Sequence, residues 1–239
     1  MKITVSIVLP FYNEGANVER VVTELLTATR GADWDIRLAC VQNGSCDDTG
    51  KILARLAQAN PRVSIIEVPY NQGYGFGIRQ GLAAATGEIV GYLDGDGQVQ
   101  PSDMLRVLAG MQVARAAKAI RVVRGDGWRR RLVSGIYNTL FRVLFAIRAR
   151  DANAKPKFLR KEDLAKLALV SDDWFIDAEV MIKTAALGIQ WAEEPVEFRK
   201  RDGGKSNVRV GSIVEFLSNL ARWRFGQTYK TWKRTTLRS

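Results

Sequence analysis

The chain contains no histidine among its 239 residues. A histidine-based triad, a histidine metal site and a histidine general base are therefore excluded. Cysteine is nearly absent too: Cys40 and Cys46 lie near one loop. With no export signal, they are expected as free thiols in a reducing cytoplasm rather than as a disulfide. No uninterrupted apolar stretch reaches ~20 residues, so no segment is expected to span a bilayer. The opening MKITVSIVLPFYNE carries one lysine, and Pro10 breaks its apolar run, which reads as a first strand and not as a signal peptide. Acidic residues are scarce in the middle of the chain. From Arg115 to Lys161 fourteen bases face only Asp126 and Asp151.

What is present is a basic chain with an uneven charge. Residues 1–110 hold nine Lys/Arg and twelve Asp/Glu, and residues 111–239 hold twenty-seven and thirteen, so the net +11 resides in the second half. Such asymmetry suits an anionic partner: nucleic acid, anionic lipid or a phosphorylated ligand. The plain alternative is a solvated basic face. The apolar fraction of 46% and charged fraction of 26% are those of a soluble globular protein. The length suits one sizeable core, or at most two small ones.

Strand and helix periods alternate along the first half. Thr4–Leu9, Ile36–Val41, Val63–Val68 and Glu88–Leu93 read as strands. Between them lie helices at Ala16–Thr29, Asp47–Asn60 and Tyr74–Ala85, the first turning Val18, Val21, Val22, Leu25 and Leu26 inward. Short βαβ spacing predicts a parallel sheet. The loops Pro10–Glu14, Gln42–Asp48 and Asp94–Gln98 should then gather at the carboxyl ends of the strands, where ligands bind in open α/β sheets. Further on, helices are expected at Pro101–Met111, Arg129–Ile147, Phe175–Leu187 and Ile213–Phe225. Strands are expected at Ile120–Val123 and at Gln190–Arg199, the latter broken at Pro195, and a basic tail closes the chain.

The strongest local signal is Asp94-Gly-Asp-Gly-Gln98 after an apolar strand. Carboxylates at i and i+2 of a turn can point at one hard cation, and Mg²⁺ commonly takes one or two protein carboxylates with phosphate and water as the remaining ligands. The alternative is an ordinary acidic turn. Gly73-Tyr-Gly-Phe-Gly77 resembles a dinucleotide-binding loop but has Ile78 where the last glycine belongs. Gly203-Gly-Lys-Ser206 is similar to the end of a P-loop, but Arg199 stands at the required first glycine, so an ATPase is rejected. Asn43-Gly-Ser-Cys-Asp-Asp-Thr49 runs from a strand end into a helix, with Asp47 a plausible N-cap.

Taken in order, Pro10-Phe-Tyr-Asn-Glu14, Asn43-Gly-Ser-x-Asp-Asp-Thr49, Gly81, Ala85-Thr-Gly87 and Asp94-x-Asp-x-Gln98 resemble the family-2 glycosyltransferases of GT-A fold. Downstream, Arg124-Gly-Asp-Gly-Trp-Arg-Arg-Arg131, Asp151-Ala-Asn-Ala-Lys-Pro-Lys157, Phe175-x-Asp-x-Glu179, Glu194-Pro-Val196 and Arg201-x-Gly-Gly-x-Ser206 resemble the dolichyl/polyprenyl-phosphate sugar synthase branch. The resemblance spans about residues 4–208 and implies a mainly parallel α/β sheet flanked by helices. It implies a catalytic domain over 1–208, split into a nucleotide/metal half 1–100 and an acceptor half 101–208, with 209–239 an amphipathic helix and basic tail.

By that resemblance Pro10, Tyr12 and Glu14 hold the nucleotide, Asn43 and Asp47 sit at its base, and Asp94, Asp96 and Gln98 hold the metal–diphosphate with Mg²⁺ or Mn²⁺. Arg124, Arg131 and Ser134 grip phosphates, and Arg201 and Ser206 close over the site. Gln42-Asn43-Gly44-Ser45 departs from the Asp-Asp-Gly-Ser frequent in the family, and an amide both donates and accepts where a carboxylate only accepts. The implied reaction is inverting transfer of one sugar from a nucleotide sugar, GDP-mannose or a UDP-sugar, to a polyprenyl phosphate. A lipid phosphate needs no general base. A hydroxyl acceptor would, with Asp177 or Glu179 as the candidate, unless these are simply acids at a helix start. The expected location is cytoplasmic and peripheral on the inner membrane face, with Arg129–Ile147, Ile213–Phe225, Trp223, Tyr229 and Trp232 in the lipid interface. The competing readings are a soluble sugar, peptide or natural-product acceptor on the same fold, and a basic nucleic-acid binder. The second is disfavoured because no recognised nucleic-acid motif is present. The sequence does not determine the oligomeric state.

Overall fold

The computed structural model describes residues 2–123, 139, 141, 143–145, 147, 150–199 and 210–237. Apolar strands and amphipathic helices alternate through its first part: β1 (Thr4–Phe11), α1 (Val18–Ala28), β2 (Asp35–Asn43), α2 (Thr49–Ala59), β3 (Val63–Val68), α3 (Tyr74–Ala84) and β4 (Ile89–Tyr92). Then come α4 (Pro101–Ala109) with a short 3₁₀ turn, β5 (Ala116–Val123), β6 (Lys157–Arg160), α5 (Lys161–Leu167), α6 (Ile176–Ala186), β7 (Trp191–Glu197), α7 (Val210–Phe225) and α8 (Gln227–Thr236).

The strands form one seven-stranded sheet in the order β3-β2-β1-β4-β6-β5-β7. β1 pairs in parallel with β2 and β4, and β2 with β3. β6 runs antiparallel to both β4 and β5, and β5 is parallel to β7. Val5, Ile7, Val8, Leu9 and Phe11 of central β1 are fully buried, as a continuous apolar run between two helical layers requires. On α1, Val18, Val21, Val22, Leu25 and Leu26 face the core at the spacing read from the sequence. Gly81 lets α3 lie close on the sheet: a Cβ there would come 2.3 Å from Val8 Cγ1 and 2.8 Å from Val41 Cγ2.

Five elements differ from the expectation. β6 and α5 fall where no element was expected, since Lys155, Lys157, Arg160 and Lys161 break any apolar pattern there. β5 starts at Ala116, four residues before the expected Ile120. β7 continues through Pro195 unbroken. It lies at the edge of the sheet, where a missing N–H removes no ladder bond on the open side. The basic tail is helical over α8. The expected helix Arg129–Ile147 lies largely outside the described residues.

Trp223, Tyr229 and Trp232, expected in a lipid interface, pack inward instead. Trp223 and Trp232 are buried and Tyr229 is half-buried. Tyr229 stacks on Trp232 with ring centroids 5.9 Å apart, and Trp223 lies 5.4 Å from Phe175. Trp232 Nε1 donates to the Lys166 carbonyl of α5 at 3.0 Å, so burial also satisfies its polar atom. Phe141 and Ile147 join the same cluster. Both cysteines are free, Cys40 buried and Cys46 exposed. Burial pushes the Cys40 thiol up to about 12, leaving it inert.

Candidate functional site

The parallel pairings place the carboxyl ends of β1, β2 and β4 side by side. The antiparallel β6 starts beside the end of β4, with Lys157 opposite Tyr92. Four segments distant in sequence therefore meet at one edge of the sheet: 10–15, 42–49, 94–98 and 155–157.

The first two segments are laced together. Asp47 accepts the Gly15 N–H at 3.0 Å, the Thr49 N–H at 3.0 Å and the Thr49 hydroxyl at 2.5 Å. Burial would raise its pKa, but these bonds outweigh it, so the carboxyl stays below the ordinary aspartate range. Glu14 donates its N–H to Thr49 Oγ1 at 3.0 Å, and its carboxylate accepts from Asn17 Nδ2 at 2.8 Å. The Asn13 amide accepts from the Cys46 N–H at 2.9 Å. Tyr12 projects outward, 42% exposed, and Pro10 lies at the end of β1. Asn43 is buried; its Nδ2 donates to the Gly73 carbonyl at 3.2 Å, while its Oδ1 has no partner. A buried acceptor without a donor costs roughly 1–3 kcal/mol, which a ligand N–H would recover.

The turn after β4 carries the acidic pair. Gly97 has φ +72° there, a conformation that glycine adopts without strain. The Asp96 carboxylate accepts the Gln98 N–H at 3.1 Å. Gln98 Nε2 donates to the Arg199 carbonyl at 3.0 Å, which leaves Oε1 as its remaining acceptor atom. Asp94 accepts the Tyr74 hydroxyl on Oδ1 at 2.6 Å, and Oδ2 lies 3.2 Å from Lys155 Nζ. Tyr74 in turn stacks on Trp174, with centroids 4.2 Å apart and planes 11° apart.

Behind Asp94 lies an ion-pair network for which the sequence reading assigned no members beyond Asp94 and Asp177. Lys155 Nζ also bonds Asp177 Oδ2 at 3.1 Å. Asp177 Oδ1 takes Lys157 Nζ and, at 2.8 Å, the Tyr92 hydroxyl. Burial would raise the Asp177 carboxyl, but the charges of Lys155 and Lys157 outweigh it and hold the pKa below the ordinary range. Burial lowers Lys157, and neighbouring Lys155 and Lys118 lower it further against the pull of Asp177, leaving it at about 8. Burial would likewise lower Lys155, but Asp177 and Asp94 hold it above the ordinary lysine value. Glu179 makes no hydrogen bond to this group among those the structure shows, although its charge is felt by Tyr92. It is fully buried, pairs with Lys183 at 2.5 Å, and accepts the N–H groups of Val170 and Ser171. Arg124, Arg131, Ser134, Arg201 and Ser206 lie outside the described residues. The signal for the missed lysines was the Lys155-Pro-Lys157 stretch itself, set directly before the apolar pair Phe158-Leu159.

The donor set can be tested against a divalent ion. Asp94 and Asp96 offer hard carboxylate oxygens two residues apart, and Gln98 Oε1 is a third oxygen. Among the described residues no group of three or more carboxylates, cysteines or histidines forms a protein-only cage. The residues therefore fit a Mg²⁺ or Mn²⁺ ion that brings phosphate and water ligands of its own. No described helix is long and apolar enough to cross a membrane.

The profile of "Glycosyl transferase family 2" matches residues 6–167. The chain is 26% identical over 235 residues to the polyprenol monophosphomannose synthase of Mycolicibacterium smegmatis, covering 91% of this chain and 85% of that one. It is 26% identical over 228 residues to the undecaprenyl-phosphate mannosyltransferase of Micrococcus luteus, covering 90% and 92%. In three dimensions it resembles glucosyl-3-phosphoglycerate synthase from Mycobacterium tuberculosis, solved with Mn²⁺, UDP and glucosyl-3-phosphoglycerate. The TM-score is 0.71 at 19% identity, over 93% of this chain and 80% of that one. That likeness bears out the expected GT-A α/β sheet.

Proposed function

Because the chain belongs to glycosyl transferase family 2 and has the GT-A fold, we propose that it transfers one sugar, with inversion, from GDP-mannose or a UDP-sugar to a polyprenyl phosphate. The named activities of the Mycolicibacterium and Micrococcus relatives support this reading. The observation that carries it is the state of Asp177 and Glu179. Asp177 is held between two ammonium groups and a tyrosine hydroxyl, and Glu179 is buried against Lys183. A hydroxyl acceptor needs a free base at the reacting oxygen. A phosphate monoester arrives already ionised near neutrality, with a second pKa of about 6. The pairing of both candidate bases thus favours a phosphate acceptor.

In this reading Tyr12 and Glu14 flank the nucleotide, Asp47 keeps their loop in place, and Asn43 Oδ1 accepts a ring N–H of the base. Asp94, Asp96 and Gln98 hold a Mg²⁺ or Mn²⁺ ion. When bound, that ion offsets the charge developing on the departing diphosphate. Arg124, Arg131, Ser134, Arg201 and Ser206 grip phosphates of donor and acceptor. Residues 1–208 form the catalytic domain, with residues 1–100 its nucleotide and metal half and 101–208 its acceptor half, and 209–239 form an amphipathic appendage. The protein works peripherally at the cytoplasmic membrane face. Exposed Lys230, Lys233 and Arg234 of α8 supply attraction to anionic lipid.

The experiment is a panel of radiolabelled nucleotide sugars incubated with undecaprenyl phosphate, with and without Mn²⁺ or Mg²⁺. Metal-dependent label in the organic phase is the expected result. Label only in a water-soluble product would overturn the lipid acceptor. Transfer undiminished by a chelator would overturn the metal.

A further inference from the structure

Lys155 occupies the place where a positive charge beside the acidic turn was expected to come from outside the protein. Its Nζ lies 3.2 Å from Asp94 Oδ2 and 3.1 Å from Asp177 Oδ2. It also stands over the Tyr74 ring at 4.8 Å from the centroid. The side chain is 8% exposed, so the charge is desolvated and weakly screened. Tyr74 takes the other oxygen of Asp94. Both oxygens of that carboxylate are therefore already bonded within the protein.

We propose that Lys155 is a positioning residue that makes divalent-ion binding conditional on the nucleoside diphosphate. This rests on the reading of Asp94 and Asp96 as holders of the metal–diphosphate. An ion arriving alone meets an Asp94 carboxylate whose charge Lys155 has neutralised, and it is repelled by the ammonium itself. An ion arriving with a diphosphate brings compensating negative charge, so the repulsion is offset. The same lysine, with the Tyr74 hydroxyl, keeps Asp94 aimed between ligands, so the turn is shaped before a ligand arrives. Asp177 anchors Lys155 from the opposite side and keeps it from swinging out.

The test is Mn²⁺ titration followed by the electron paramagnetic resonance signal of the free ion. It is run on the full chain with and without added UDP or GDP, for wild type, Lys155→Met, Lys155→Gln and Lys155→Arg. Wild type is expected to bind Mn²⁺ weakly alone and far more tightly with a nucleotide. Without nucleotide, the Met and Gln variants should bind at least about tenfold tighter than wild type, as expected when a unit positive charge a few ångströms away is removed. Lys155→Arg, which keeps the charge, should stay near wild type. Should Lys155→Met fail to fold, Lys155→Gln, which keeps a donor without the charge, gives the same comparison. Equal Mn²⁺ affinity in wild type and the neutral variants, or equal tightening in Lys155→Arg, overturns the proposal while leaving the metal site standing. Absence of Mn²⁺ binding in every protein with either nucleotide overturns the metal reading and this proposal together.

Discussion

Tyr92 and Asp177, 85 positions apart in the chain, are joined by a 2.8 Å hydrogen bond in the interior. Tyr92 is the last residue of β4 and Asp177 lies in the first turn of α6, so the bond ties the sheet to the helix behind the acidic turn. Removing the hydroxyl in Tyr92→Phe leaves Asp177 with its two lysines and one fewer donor. A loss of about 1–3 kcal/mol in unfolding free energy is expected, the range for a hydrogen bond to a buried charged group. Urea titration at neutral pH checks this, and an unchanged midpoint would remove the bond from the account of stability.

Lys157 gives the protein an alkaline signature. It faces Asp177, Lys155, Lys118 and the Tyr92 ring. Its pKa falls from 10.5 in the free side chain to about 8 in the fold. Between these values the unfolded chain holds the proton and the folded chain does not, so this group makes stability rise with pH across that window. Lys155 shifts the other way, so its contribution is complete below the ordinary lysine pKa and is lost only above it. Denaturant midpoints of wild type from pH 8 to 10 should therefore climb relative to those of Lys157→Met. Parallel curves would contradict the assignment.

Asp96→Ala should abolish transfer without loosening the fold. Loss of an electrostatic group aimed at developing charge costs about 100-fold or more in rate. Circular dichroism should be unchanged, and metal-dependent breakdown of the nucleotide sugar should vanish with transfer. Glu179→Gln should do the reverse. It leaves Lys183 buried without its counter-charge, which typically costs about 3–5 kcal/mol, yet the pH–rate profile should keep its shape because Glu179 is bonded to Lys183 and to the Val170 and Ser171 N–H groups rather than to the acidic turn.

The carboxyl-terminal helix separates packing from charge. Trp232→Ala removes a buried ring and the bond to the Lys166 carbonyl, and should cost about 3–5 kcal/mol. Replacing exposed Lys230, Lys233 and Arg234 by Gln should leave the melting temperature within a degree or two, since exposed substitutions are usually near neutral. Binding to phosphatidylserine vesicles should fall at least about tenfold, given the attraction of each base to an anionic surface. Sedimentation with vesicles reads the effect, and equal partitioning would take α8 out of the membrane argument.

Much of the fold was legible because its signals are local. The alternation from β1 to β4 follows from periods of about two and 3.6 residues, and each strand end could be placed from a single turn. The acidic turn at 94–98 announced itself in the same way. Lys155 and Lys157 did not. A lysine reads as surface in any window of sequence, and both become interior only because antiparallel β6 sets them against Asp94, Tyr92 and Asp177. Glu179 shares the helix start with Asp177, as the spacing predicted, but its partners Lys183 and the Val170 N–H were not legible, because only folding brings the loop at Val170 to it.

The amino-acid order by itself determined the class of sheet, the three loops at its carboxyl edge and the family to which the chain belongs, because each rests on neighbours within a few residues. Which charges neutralise which was decided only by folding. Buried ion pairs form between groups brought together by strand order, and Coulomb attraction in a desolvated interior depends on distance through space rather than along the chain.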